Sequence, residues 1–314
     1  MRRLVWWTAL LVLLLGGCRA LGEVPAPKGT IRIGTGNAGG VYAVYGAGLA
    51  HAIRTTMPGT TAEVALTDGS VENIELVAAG KAEVGFTLAD VAADAVAGRP
   101  PFREPRPIVA LANLYENYVQ LVARAGGPVR TVRDLAGRRV SIGAQASGTA
   151  VVAERILALS GVGDAAVRRH MDIQASAQAL AAGEIDAFFW SGGLPSGAIA
   201  ELSRRVDVRL IDLQEVARPL MRTYGDLYRE TTVPASVYGL SSAVTTVSVP
   251  NYLVVSRDMP QDTAYWITKV LFERQPDLAR AHPEGHRLGQ WAAIRTHPLD
   301  LHPGAVRWYR ESHY

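Results

Sequence analysis

Apolar and polar positions alternate along this chain in two rhythms. Thr30 to Ile33 is a short extended run that ends in Gly34-Thr35-Gly36-Asn37-Ala38-Gly39-Gly40, after which Val41, Val44, Tyr45, Leu49 and Ile53 recur at helical spacing as far as Pro58. The change of period predicts strand, glycine loop and helix. Thr60 to Leu66 alternates as a strand, Thr67-Asp68-Gly69 turns, and Ser70 is placed to cap a helix with Val71, Ile74, Val77 and Ala78 on its inner face and Gly80 at its end. Ala82 to Thr87 reads as the next strand, and Asp90 lies just past it, where open α/β sheets meet their ligands. Arg99 to Pro107 is too rich in proline for a helix or a central strand and is expected as a surface connection. Ile108–Asn113 and Tyr118–Ala123 read as two extended segments passing between lobes.

The opening pattern then returns. Thr131 can cap a short helix ending at Gly137, Arg139 to Gly143 is a strand, and Ala144-Gln145-Ala146-Ser147-Gly148-Thr149 leads into a helix with Val152, Ile156 and Leu159 inward. Ser176 to Phe188 repeats the logic of Ser70 to Phe86: a capped helix closed by Ala-Ala-Gly, then a strand. Phe188-Phe189-Trp190-Ser191-Gly192-Gly193 runs a strand into another glycine turn, and Trp190 stacks on a ligand, seals the cleft, or is a core aromatic ending a buried strand. Tyr224 to Gly239 is loop-rich, Val244 to Val255 is a β-branched run in which Pro250 suggests a bulge or a crossing, and Asp262 to Arg274 is an amphipathic helix. Strand-helix alternation over 314 residues, nearly half of them hydrophobic, predicts an α/β chain in two similar lobes. Each lobe then offers a helix N-terminus, with its free N–H groups, to a shared anion-holding cleft.

The N-terminus changes the picture of the first residues. Arg2 and Arg3, the apolar run Leu4–Leu15 and Leu15-Gly16-Gly17-Cys18 have the flanks of an export signal, too short to span a bilayer, and the end resembles the bacterial lipobox. Residues 1–17 are thus expected as a lipoprotein signal peptide, and Cys18, the only cysteine, as the lipidated anchor, followed by a linker to Gly29. Loss of Arg2 and Arg3 lowers the formal net charge from +3 to about +1, and the dispersed arginines form no basic stripe, so nucleic acid is not an expected partner.

Catalytic machinery is sparse. Gly34-Thr35-Gly36-Asn37-Ala38-Gly39 fits G-x-G-x-x-G, but the acidic residue that should end the second strand of a dinucleotide fold is poorly met by Glu63 or Asp68. No G-x-S-x-G elbow or Cys-His pair occurs. His282 and His286 have i,i+4 spacing, but Pro283 and Gly285 oppose a regular helix there and no third metal ligand is evident, so neither metal nor cofactor is expected. What remains is a set of small donors at strand-to-helix junctions: Thr35, Asn37, Ser70, Asn73, Thr87, Gln145, Ser147 and Thr149. Each is also an ordinary cap or turn residue. Together with helix ends they can satisfy two carboxylates, or a carboxylate and an ammonium if Asp90 or Glu116 supplies the counter-charge.

In order along the chain, Ile33-Gly-Thr-Gly36, Gly39-Gly-Val-Tyr42, Ser70-Val-x-Asn73, Leu111-Ala-x-Leu-Tyr115, Asp134-Leu-x-Gly-x-Arg-Val-Ser141, Ser147-Gly-Thr149, Ile185-Asp-Ala-Phe-Phe189, Gly192-Gly193, Val233-Pro-Ala-x-x-Tyr-Gly239 and His302-Pro-Gly-Ala305 form a set. It resembles the TAXI-type solute-binding proteins, the extracytoplasmic receptors of TRAP transporters. The resemblance implies a two-lobed periplasmic-binding fold (type II, Venus-flytrap) that closes by hinge motion on a glutamate-, glutamine- or 2-oxoglutarate-like ligand. It also implies delivery to the membrane subunits of an ion-gradient-driven permease. The lobes would divide as 30–112, 113–240 and a return over 241–314. By position, Gly36, Asn37, Gly39, Gly40, Val41, Tyr42, Ser70, Asn73, Tyr115, Ser147, Gly148, Thr149, Gly192 and Gly193 would line the cleft, beside Thr87, Asp90, Gln145 and Trp190 from the reading of the residues. The chain departs from the family at Leu88 and Ala89, which replace polar groups, at Glu116-Asn117, and at Ala150. An exported enzyme or a sensory binding module on the same scaffold are the other functions this sequence suggests.

Overall fold

The computed structural model describes residues 24–312, so the expected signal peptide, 1–17, and the lipidation site Cys18 lie outside the described residues. Ten strands form one sheet: β1 (Gly29–Gly34), β2 (Thr60–Ala65), β3 (Val84–Leu88), β4 (Ile108–Arg124), β5 (Arg139–Ser141), β6 (Val167–Arg169), β7 (Ala187–Gly192), β8 (Val208–Leu210), β9 (Arg229–Val233) and β10 (Val244–Ser256). Their order is β2-β1-β3-β10-β4-β7-β5-β6, with β8 added to β4 and β9 to β10. Each end of the sheet is parallel and built from strand-loop-helix units, β2-β1-β3 on one side and β7-β5-β6 on the other.

Two long antiparallel strands join these ends into a two-lobed α/β fold. β4 pairs with β10 from Ile108↔Ser256 to Tyr118↔Ser248, and then with β7 from Tyr118↔Gly192 to Ala123↔Ala187, so it changes partner at Tyr118. β10 crosses in the opposite direction and carries β9 on its Val244–Ser248 half. The segments expected separately at Ile108–Asn113 and Tyr118–Ala123 are thus one strand, because Leu114 and Tyr115 are buried and Tyr115↔Asn251 and Asn117↔Val249 continue the ladder. Register shifts follow Pro250, between Asn251 and Tyr252 and between Leu253 and Val254, as expected where a residue without an N–H enters an inner strand. The Tyr224–Gly239 stretch read as loop contains β9, whose strand character comes from pairing with β10 rather than from local pattern.

Two helix caps differ from expectation. Ser70 is the first residue of the Ser70–Ala78 helix, and the N-cap is Gly69 at φ +125°, a conformation open to glycine. The Ser70 hydroxyl oxygen instead accepts from Leu88 N at 3.0 Å. The Ile173–Ala182 helix is capped by Asp172, which accepts from Ala175 N at 2.7 Å, and Ser176 lies one turn inside it. Thr131 forms a reciprocal capping box with Asp134, as the sequence suggests.

In one lobe Ile33, Tyr45, Leu49, Ile53, Phe86 and Leu253 pack with Ile267, Leu271 and Trp308 from the C-terminal helices Gln261–Glu273 and Pro303–Glu311. Each such fully buried side chain stabilises the fold by about 1.5–3 kcal/mol. In the other lobe Phe188, Leu180, Ile199 and Val122 form a separate cluster. A third cluster spans both, bringing Leu88 and Val91 together with Ile142, Val152 and Ile156. The Arg99–Pro107 connection lies on the surface but is pinned by buried Phe102 and by Arg106, which meets Glu75 at 3.0 Å. No described helix is long and apolar enough to cross a membrane.

Candidate functional site

The two glycine loops face one another. The Val41–Thr56 helix starts at Gly40 without a side-chain cap, and the Gly148–Leu159 helix starts at Ser147, whose hydroxyl oxygen accepts from Ala150 N at 3.0 Å. The Ser70–Ala78 helix opens on the same place: Val71 N and Glu72 N both donate to Ala146 O, at 3.1 and 3.2 Å. Ala146 N in turn donates to Asp68 Oδ2 at 3.2 Å, which ties the first lobe to the second glycine loop. Three helix N-termini thus converge; those at Gly40 and Ser147 bring partial positive charge and free N–H groups, whereas the third spends Val71 N and Glu72 N on Ala146 O.

Between them lies a narrow cleft with an enclosed volume of about 40 Å³. Its walls bring together Gly36, Asn37, Gly40, Val41, Tyr42, Ser70, Tyr115, Ser147, Gly148, Thr149, Trp190 and Gly192 from the sequence-derived set. Asp68, Gly69, Leu88, Asn117 and Ser191 line it as well and were missed. Asn117 was accessible in principle, since it follows Tyr115 by two residues and shares its strand face. Ser191 had no such signal.

Three lining groups are buried polar atoms without a hydrogen-bond partner in the protein: Tyr115 Oη, Asn117 Oδ1 and Ser191 Oγ. The Asn117 amide is oriented by Nδ2 donating to Ser191 O at 3.2 Å, which leaves Oδ1 as the free acceptor. Burial pushes the Tyr115 hydroxyl far above its ordinary range, so it stays a neutral donor at physiological pH. Tyr42 is likewise pushed up by burial; its hydroxyl donates to Asn251 Oδ1 and its ring stacks on Phe86 with centroids 5.3 Å apart. Trp190 Nε1 donates to Ser196 Oγ at 2.8 Å, which holds the indole over Gly40.

Six residues of the expected set stand elsewhere. Asn73 is a buried tie: Nδ2 donates to Thr35 O at 2.6 Å and Phe86 O at 2.8 Å, and Oδ1 accepts from Thr67 at 2.8 Å. All its capacity is spent within the lobe. Thr87 is buried and donates to Leu88 O at 3.1 Å. Asp90 accepts from Arg155 Nη1 at 2.7 Å and from the Tyr228 hydroxyl, while Arg155 also reaches Asp94, so Asp90 already has its counter-charge. Burial pushes the Asp90 carboxyl upward, against the pull of Arg155 and Tyr228. With Gln145 it borders a separate open groove between the lobes. Gly39 faces Gln174, and Gly193 backs onto Glu284, where a Cβ would stand 2.8 Å from Cγ. Glu116, the other expected counter-charge, lies in a different groove near Arg229 at 3.9 Å. The carboxylate that does line the cleft is Asp68.

His286 falls in the short 3₁₀ turn Pro283–Arg287 and His282 caps it, Nδ1 accepting from Glu284 N at 3.2 Å. Among the described residues no group of three or more His, Cys, Asp or Glu side chains is arranged to hold a metal.

The same fold occurs in solved binding proteins of low sequence identity. A binding protein component of an ABC phosphonate transporter from Pseudomonas aeruginosa is 10% identical with a TM-score of 0.57, covering 82% of this chain and 79% of its own. An ancestral arginine-binding protein bound to arginine is 15% identical at a TM-score of 0.53, covering 82% of this chain and 98% of its own. The alkanesulfonate-binding protein from Xanthomonas axonopodis pv. citri, bound to MOPS, is 16% identical at a TM-score of 0.52, covering 91% and 84%. These likenesses establish the two-lobed binding-protein fold. A family model matches the chain from residue 33 to residue 312, and the chain therefore belongs to the NMT1-like family.

Proposed function

We propose that this protein is an extracytoplasmic solute receptor that closes on a small carboxylate or amino acid and delivers it to a membrane permease. The observation that carries the reading is the meeting of Gly40 and Gly148, each at the start of a long helix and from opposite lobes, in one cleft where the buried atoms Tyr115 Oη, Asn117 Oδ1 and Ser191 Oγ lack protein partners. Helix N-termini take the anion, the unpartnered groups take the remaining polar atoms, and closure excludes water. Lobes dividing near residues 112 and 240 would move as the two halves of that closure. The motif set from Ile33 to Ala305 supports a TAXI-type receptor of an ion-gradient-driven TRAP permease, whereas one structural neighbour serves an ABC transporter; co-purified membrane subunits distinguish the two. Export and anchoring at Cys18 complete the reading.

Mass spectrometry of small molecules retained by the native protein, followed by thermal unfolding with each candidate, tests the proposal. A ligand at about 100 times its Kd stabilises the folded state by about 2.7 kcal/mol. Stabilisation without turnover supports a receptor; conversion of the ligand by the protein alone makes it an enzyme.

A further inference from the structure

Resting on the receptor reading, we infer that the ligand is a net-neutral zwitterion, an anionic group joined to a protonated amine, and that dicarboxylates are discriminated against. The cleft is lined by two chemically different kinds of group. Its anion-seeking groups are the free N–H groups of the helix starts at Gly40 and Ser147. Tyr115 Oη and Ser191 Oγ are free to donate, whereas two other features ask for a donor and a positive charge. Asn117 is 3% exposed, and its Oδ1 is an acceptor without a donor, fixed by the Nδ2 bond to Ser191 O. Asp68 is the charged side chain among the lining residues, which include no Lys, Arg or His. The aromatic side chains of Tyr42, Tyr115 and Trp190 complete the lining.

A second carboxylate could accept from Tyr115 Oη or Ser191 Oγ, but it would bring no hydrogen to Asn117 Oδ1, and no side-chain cation among the lining residues would offset its repulsion by Asp68. An ammonium satisfies both. Asn117 and Asp68 are therefore specificity-determining residues, acting on the choice between ligands of similar size.

Isothermal titration of the purified full chain with the twenty common amino acids, their desamino carboxylates and the dicarboxylates succinate, malate and 2-oxoglutarate tests this. The expected result is a neutral amino acid as the tightest ligand, with its desamino carboxylate at least tenfold weaker and every dicarboxylate weaker still. Asn117→Leu is expected to reduce the amino-acid advantage over the desamino carboxylate to less than threefold. Should that variant misfold by circular dichroism, Asp68→Asn, which can still accept from Ala146 N, is expected to weaken the amino acid about tenfold and the desamino carboxylate little. A dicarboxylate binding tighter than every amino acid, or variants that weaken both ligand types equally, overturns the inference while leaving the receptor reading in place. Absence of binding by all three sets removes both.

Discussion

Gly148 packs directly against Ser70: a Cβ on the glycine would stand 2.6 Å from the serine Oγ and 2.6 Å from Leu88 Cδ1. The serine cannot easily turn aside, because its Oγ accepts from Leu88 N at 3.0 Å. Two lobes therefore meet at a position where only hydrogen fits. Gly148→Val is expected to hold the lobes apart and weaken ligand at least tenfold. Small-angle scattering should then show a larger radius of gyration with ligand present than the unsubstituted chain has. A variant that binds and compacts normally would show that this contact does not limit closure.

At the other loop, a Cβ on Gly40 would lie 3.2 Å from Asn37 O and 3.5 Å from Trp190 Cη2. Gly40→Leu should abolish ligand-induced stabilisation while the ligand-free unfolding midpoint moves by only a few degrees, since the cleft rather than the core is filled. Differential scanning fluorimetry with and without ligand reads both quantities. Unchanged ligand response would move the binding site away from this loop.

Arg155 neutralises two buried carboxylates, Asp90 at 2.7 Å and Asp94, and lies over the Tyr224 ring at 4.3 Å. Arg155→Met leaves Asp90 buried without a cation, while Asp94 keeps Arg99 at 2.9 Å, a loss of about 3–5 kcal/mol near neutral pH. Burial already raises the Asp90 carboxyl, and a carboxyl with a raised folded-state pKa gives stability at low pH that is lost as pH rises. The deficit of the variant should therefore shrink as pH falls from about 7 to about 5, measured by denaturant unfolding against the unsubstituted chain. An equal deficit at both values would mean that the lost packing, not the exposed charge, dominates.

His302 is 1% exposed; its Nδ1 accepts from Gly304 N at 3.0 Å, so the proton sits on Nε2, which donates to Met259 O at 3.0 Å. The neutral ring caps the Pro303–Glu311 helix. Burial holds both His302 and His282 below the ordinary value of 6.5, so the unfolded chain takes up the protons first. Their stabilising contribution is present above 6.5 and is lost as pH falls through the depressed folded-state values. His302→Gln should remove part of this acid sensitivity and cost about 1–2 kcal/mol near neutral pH, as for other lost caps. Unfolding curves across that range decide it, and a slope unchanged by the substitution would acquit His302.

Cys18→Ser is expected to release the protein from membranes into the soluble fraction. Fractionation of expressing cells tests this directly, and continued membrane association would call for another anchor.

Local order was readable because it depends on neighbours in the chain. The strand-to-helix turns at Gly34–Gly40 and at Gly143–Gly148, the cap at Ser147 and the Thr131–Asp134 box all follow from contacts within a few residues. The site was readable only in part. Asn73 and Asp90 carried the right chemistry at the right junctions, yet one is absorbed by Thr35, Thr67 and Phe86 and the other by Arg155, 65 residues away. Asn117 and Ser191 became cleft residues because β4 leaves β10 for β7 at Tyr118.

The chain's own pattern was enough for the α/β class and for the pair of glycine-led helix starts. Periodicity, backbone freedom and residue chemistry are properties of short stretches. Tertiary structure alone decided which polar atoms remain unpaired. Whether an amide or carboxylate is satisfied depends on what distant segments bring against it, and here that was settled by the two crossing strands and by the buried Arg155.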